Sequence, residues 1–183
     1  MTKQKKSQSG MTLTEVLVAV SVSILIVGAA YLISVTGQKS YSQTQDRIEL
    51  TQNARIALDR MSREIRQSTE IVTEFPSQEI MFEDGHTTIN RYIIYNLNNN
   101  NLRRIVRAYY FGSSLPDETE WVVYDSKDKE GHSPNWQNIE DEEMANFISS
   151  LQFSGETVVN IDLAASKNGT TFNFATSILP RNL

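Results

Sequence analysis

The hydrophobic rhythm of the chain changes twice along its length. Residues 16 to 38, VLVAVSVSILIVGAAYLISVTGQ, carry no charged side chain. Wound as a helix rising about 1.5 Å per residue, this run is about 34 Å long and matches the hydrocarbon core of a bilayer. From Ser40 to Ser68 the apolar positions become periodic. Ile48, Thr51, Ala54, Leu58, Met61 and Ile65 recur three and four apart, which predicts a continued helix with one apolar stripe. Arg55, Asp59 and Arg63 lie four apart on another face, as do Arg60 and Glu64, so ion pairs are expected there. No proline interrupts Met11 to Phe75, which permits a single helix of about 57 residues and about 85 Å.

Beyond Phe75 the period shortens to that of strands. Glu79 to Glu83 is strand-like and is followed by an Asp84-Gly85 turn signal. Thr88 to Leu97 and Leu102 to Phe111, rich in β-branched and aromatic residues, predict two strands joined by a loop at Asn98 to Asn101. Gly112 to Glu120 reads as loop, Trp121 to Tyr124 as a third strand, and Asp125 to Gln137 as an irregular insertion. Glu140 to Ser149 reads as a short helix or turn burying Met144, Phe147 and Ile148. Leu151 to Phe153, Thr157 to Leu163 and Thr171 to Leu179 close the chain as strands, the last two joined by a tight Asn168-Gly169 turn. Asn168-Gly169-Thr170 also fits a glycosylation sequon, but its position makes it a turn first. A long helix followed by antiparallel hairpins predicts an α+β fold.

Composition narrows the function classes. The chain holds no cysteine, which excludes a disulfide framework, thiol catalysis and thiolate metal sites. His86 and His132 are the two histidines, too few for a multi-histidine centre. No nucleophile–base arrangement, phosphate loop or paired-carboxylate site stands out, so neither an enzyme nor a cofactor is expected. The net charge of −5 argues against nucleic acid as the main partner. Without Lys3, Lys5 and Lys6 the basic count falls from 17 to 14 against 22 acids, a net of −8.

Those three lysines precede the apolar run, so the positive-inside rule places the N-terminus in the cytoplasm and everything after Lys39 outside. No small-residue cleavage site follows the run. Instead Ser9-Gly10 precedes it, and Met11-Thr12-Leu13-Thr14-Glu15 comes next. The segment SGMTLTEVLVAVSVSILIVGAAYL resembles the N-terminus of type IV prepilins and type II secretion pseudopilins. That resemblance implies cleavage by a prepilin peptidase between Gly10 and Met11, with N-methylation of the new terminus at Met11. The family more often has phenylalanine at this place. LTQNARIALDRMSREIRQS (Leu50 to Ser68), ISSLQFS (Ile148 to Ser154) and SILPRNL (Ser177 to Leu183) are similar to segments of PilW-type minor pilins and GspJ-type minor pseudopilins. The pilin resemblance implies the same α+β arrangement, a long helix on a β-rich head.

Glu15 is a carboxylate at the head of an apolar helix, a costly placement that demands a compensating group. The amine that cleavage frees on Met11 lies four residues upstream and offers a partner within one chain. The resemblance instead implies pairing with the terminal amine of a neighbouring subunit, which sets assembly register. Gly28 either loosens the helix or allows close helix packing, and no proline bends this segment.

The boundaries that follow are a leader at 1–10, a transmembrane or filament-core helix at 11–38, an amphipathic continuation at 39–75 and a β-rich head at 76–183. By resemblance the partners are the peptidase, other pilin or pseudopilin subunits, an inner-membrane assembly platform and, before assembly, membrane lipid. The protein is then a single-pass cytoplasmic-membrane protein that later joins a surface filament. Two further constellations bear on alternatives. Arg103, Arg104 and Arg107, with Tyr109 and Tyr110 close by, could serve DNA uptake, although strand alternation puts Arg103 and Arg104 on opposite faces and favours a rim of sheet-edge charges. Asp125, Asp128 and Glu130 before Gly131 suggest a calcium loop, but Lys127 and Lys129 occupy the alternate positions where oxygen ligands belong. A signal-anchored binding module is the remaining alternative.

Overall fold

The structure is a computed structural model describing residues 10–86 and 88–181. Lys3, Lys5, Lys6 and Ser9 of the leader lie outside the described residues, as do the last two residues of the closing segment. The chain divides into two compact units, Met1–Gln45 and Asp46–Leu183. Helix α1 (Leu13–Gln67) is 55 residues long, close to what the lack of proline permits. It stops well before Phe75 because its last carbonyls find other partners. Ser68 returns both its N–H and its hydroxyl to the Ile65 carbonyl, at 3.3 and 2.8 Å. The Arg66 carbonyl accepts from the Arg181 N–H at 3.1 Å. The helix-end groups are thus satisfied from within the chain.

In the first unit no described residue from Gly10 to Gln45 is buried. In the second unit α1 buries Leu50, Ala54, Ala57, Met61 and Ile65 completely. This stripe corrects the expected one: Ile48 is 51% exposed, and Thr51 and Leu58 are only half-buried. Ile48 lies six residues before Ala54, about 240° round the helix, whereas Leu50 and Ala57 share its side. Two alanines in the stripe let the helix approach the strands closely. The expected ladder of Arg55, Asp59 and Arg63 is also absent among the described residues; the i, i+4 pair that forms on α1 is Arg60–Glu64, at 3.3 Å.

The strands form two antiparallel sheets, both packed with α1 into one core. β1 (Ile80–Glu83), β2 (Arg91–Asn98), β3 (Asn101–Tyr110) and β4 (Asn135–Ala145) make a four-stranded sheet in that order. β5 (Ile148–Ser154), β6 (Val159–Lys167) and β7 (Thr170–Ile178) make a three-stranded one. The fold is α+β, consistent with a pilin-like architecture. Both expected hairpin turns form. Asn99 and Asn100 have φ of 51° and 63°, and Asn168 and Gly169 have 49° and 80°, the left-handed pair that a two-residue hairpin turn requires.

Two elements differ from the sequence expectation. Trp121 to Tyr124 is not a strand but a strap laid over the four-stranded sheet. Trp121 is 6% exposed, the Val122 N–H donates to the Tyr109 carbonyl at 2.9 Å, and Tyr124 joins Tyr92 and Tyr109 in an aromatic cluster. Of its four residues Trp121 alone is buried and Val123 is exposed, so a β-rich composition here does not make a strand. Glu140 to Ser149 is neither helix nor turn: it is the end of β4 and the start of β5. β4 is exposed on both faces for most of its length and its register with β3 slips twice, so no period-two pattern marks it in the sequence. Ile148 is buried as expected, while Met144 and Phe147 are half-buried.

Candidate functional site

The residues that head α1 form a compact local constellation. Gly10 and Met11 precede the helix in an exposed stretch without regular secondary structure, with Met11 71% exposed. A Cβ built on Gly10 would meet no atom within 4 Å, so nothing described in the chain itself demands glycine there. Thr12 is the N-cap. Its Oγ1 accepts from the Glu15 N–H at 3.3 Å, while Glu15 Oε2 accepts from the Thr12 N–H at 2.9 Å and from the Thr12 hydroxyl at 3.0 Å. This reciprocal arrangement is a capping box, which satisfies two backbone donors that a helix start otherwise leaves open. The T-x-x-E spacing of Thr12 and Glu15 signals it in the sequence, a signal separate from the charge of Glu15. The capping box engages one carboxylate oxygen; Oε1 accepts nothing among the described residues.

Behind this head the apolar segment is fully presented to its surroundings. Leu13, Leu25 and Ile33 are 84%, 73% and 74% exposed, and α1 is long and apolar enough to cross a membrane. Three of its hydroxyls bond within the helix: Ser21, Ser23 and Thr36 donate to the carbonyls of Leu17, Ala19 and Leu32 at 2.8–2.9 Å. Polar side chains satisfied within their own helix suit a medium that offers them no water. An exposed apolar surface of this extent requires lipid or other helices to cover it. Gly28 has open space around it within the chain.

Residues 5–31 match the family model of the prokaryotic N-terminal methylation motif. The match supports a type IV pilin-like prepilin, processed by a prepilin peptidase and assembled with other pilin subunits, a structural role rather than an enzymatic one. It takes in Gly10, Met11, Glu15 and the apolar run as far as Tyr31. Among curated proteins and among solved structures, nothing matches the chain.

The other candidate residues are placed differently. Arg103, Arg104 and Arg107 lie on β3, which is an inner strand and not a sheet edge. Arg104 is buried and bound: its Nε lies 3.1 and 3.0 Å from the two Glu64 oxygens, and its Nη1 is 2.9 Å from Glu140. Arg103 pairs with Asp141 at 2.7 Å. Arg107 donates to Asn138 at 3.0 Å, and its guanidinium lies 4.1 Å from the centre of the Trp136 ring. The structure therefore presents them as three separately engaged cations, not as a free basic surface.

Asp128 and Glu130 come together with His132, which the expected calcium loop does not include, while Asp125 stands apart from the group. Asp128 organises its own loop. Its carboxylate accepts from the backbone N–H groups of His132 and Glu130 at 2.8 and 2.9 Å, and the His132 N–H above all holds its pKa below the ordinary aspartate value. A Lys127–Ser133 hydrogen bond of 2.6 Å closes the loop, which supports its reading as a solvated, self-satisfied turn.

Proposed function

We propose that the chain is a minor pilin or minor pseudopilin, clipped between Gly10 and Met11, N-methylated on Met11 and built into a filament or its initiating tip through the helix that follows. The observation that carries this reading is the union of the methylation motif with a helix start whose every described residue to Gln45 is exposed. Before assembly, lipid covers that surface and the N-terminus lies on the cytoplasmic side; afterwards the helices of other subunits cover it. Glycine at position 10 is explained by a peptidase that needs close backbone access. Methylated amine at Met11 places a cation at the positive end of the helix dipole, and a carboxylate such as Glu15 offsets that cost. The free Oε1 of Glu15 is open to a donor from a neighbouring subunit.

Mass spectrometry of the chain from cells holding a prepilin peptidase tests the reading. The expected product lacks residues 1–10 and carries one added methyl group at Met11. Gly10→Val is expected to leave the leader attached, with the melting temperature of the head unchanged. An intact Met1 terminus in the natural protein would turn the reading toward a tethered binding module.

A further inference from the structure

Two charged patches on the head find no counter-charge within it. The first is a recess of about 420 Å³ at the end of α1, lined by Arg63 and Arg66 of the helix and Arg181 of the closing segment, with Asp59 as its one acid. None of these four residues makes an ion pair among the described residues. Arg60, Arg91, Arg103 and Arg104, by contrast, are all paired. The Arg181 N–H donates to the Arg66 carbonyl at 3.1 Å, so the third arginine is fixed to the helix that bears the other two. A helix C-terminus favours a cation in its last turn, which accounts for Arg66 and not for the set.

The second patch is an acidic turn. Asp117, Glu118 and Glu120 are all exposed, and none makes an ion pair among the described residues. Asp117 stands at the N-cap of a short 3₁₀ helix, Glu118–Glu120, yet its carboxylate makes no capping bond. No lysine, arginine or histidine occurs between Arg107 and Lys127. The acids of β4 differ: Glu140, Asp141 and Glu142 are held by Arg104, Arg103 and Arg60. No other four consecutive described residues hold three acids without an ion pair. The turn is also fixed at both ends. The Glu120 N–H donates to the Asp117 carbonyl at 2.9 Å, and the indole N–H of buried Trp121 donates to the Pro116 carbonyl at 3.3 Å.

We propose that the arginine recess of one copy of this chain receives the acidic turn 117–120 of a second copy. Three unmatched cations then meet three unmatched acids, and each set already sits on backbone held by its own hydrogen bonds, so little chain must be ordered on contact. Without its first ten residues each copy carries a net charge of −8, and two such heads repel in general. The approach that opposes these two patches is the one that local charge favours. Exposed ion pairs are individually weak. The apolar helix supplies the affinity of assembly, and the head contact decides which faces meet. The inference rests on the assembling-subunit reading above and names the head surfaces that take part.

The lack of cysteine makes disulfide trapping in the full-length, detergent-solubilised chain a direct test. One copy carries Ser62→Cys at the recess and the other Thr119→Cys in the acidic turn. Thr157→Cys, exposed on another loop, replaces Thr119→Cys to set the random rate. The expected mixed disulfide forms at least about tenfold faster than that rate. Arg63→Glu with Arg66→Glu on the first copy, or Glu118→Arg with Glu120→Arg on the second, should each return trapping to the random rate. Combining the two reversed copies should restore it, which a merely structural role for these residues would not do. Melting temperatures check that each variant folds, and Arg63→Gln with Arg66→Gln gives the reading if the reversed pair weakens the helix end. Trapping at the random rate, which is also what a different acidic partner would leave, overturns the proposal. So does indifference to charge reversal, or a failure of the two reversed copies to recover. Leader removal is read separately on the same samples. A clipped chain that fails to trap rejects this contact alone, and an unclipped chain that traps rejects the filament reading alone.

Discussion

Glu15 holds two positions at once: it is the N3 residue of a capping box and the sole acid of an otherwise uncharged stretch from Met11 to Gln38. The two roles can be separated because glutamine also serves at N3 of a capping box. Glu15→Gln is expected to leave leader cleavage and helix content unchanged while lowering filament incorporation at least about tenfold, as scored by immunoblot of sheared filaments. Thr12→Val should do the reverse, costing about 1 kcal/mol of local helix stability with incorporation retained. Equal incorporation of Glu15→Gln would reduce Glu15 to a cap and remove its part in assembly. At this scale the sequence was legible wherever a residue's neighbours are close in the chain. Gly10, Met11 and Glu15 fall within the matched methylation motif, and Asn168-Gly169 turns as its identity requires. His132 is the exception, since it lies four residues past Asp128 and two past Glu130 yet follows Gly131, where the calcium-loop pattern expects no histidine.

Among the elements, the decisive contact is the one between α1 and the four-stranded sheet. Glu64 accepts from the Tyr95 hydroxyl at 2.7 Å and from Arg104, and it pairs with Arg60. Arg60 and Arg104 then reach Glu142 and Glu140 of β4 at 3.0 and 2.9 Å. Burial above all, and then the Glu64 carboxylate, push the Tyr95 hydroxyl pKa up. Four elements are fastened by one network, and β4 owes its strand state to it rather than to alternation. This explains why the acidic run looked like a helix or turn: the cations that straighten it lie about 40 residues upstream on β3 and further still on α1. Glu64→Ala leaves Arg104 buried without its main counter-ion and is expected to destabilise the head by about 3 kcal/mol in chemical denaturation. Arg107→Ala, which loosens an exposed contact only, should stay within about 1 kcal/mol of the parent. A comparable loss in both would show that β4 is held by its backbone bonds and not by the network.

For the molecule as a whole, charge governs how the head responds to acid. Asp84 is buried, which pushes its carboxyl pKa up, but hydrogen bonds from the His86 N–H and ring and from Arg91 outweigh this and hold it below the ordinary value. Hydrogen bonds from Asn168 and Lys167 lower Asp46 likewise, and they pin the β6–β7 hairpin to α1. A carboxyl depressed in the folded state adds stability that is complete above the unfolded value near 3.9 and disappears as pH falls through the folded one. Thermal melting should therefore hold level down to about pH 5 and fall steeply below it, and Asp84→Asn should flatten that fall while lowering the plateau. A melting temperature indifferent to acid would contradict the role given to both aspartates. The long helix and the α+β class were legible at this scale because an uncharged run and strong turns need no distant partner. The division of the strands into two sheets was not, since it depends on which edges meet across the core.

Every buried side chain described in this chain lies at Asp46 or beyond. The folded portion consequently has no stake in what surrounds residues 10–45. When such a segment leaves one apolar medium for another, the free-energy difference is that of an exchange between acyl chains and neighbouring peptide, with no contribution from loosening the domain it carries. On the proposed function, such a segment would be drawn out of a bilayer under load with the part from Asp46 onward still folded.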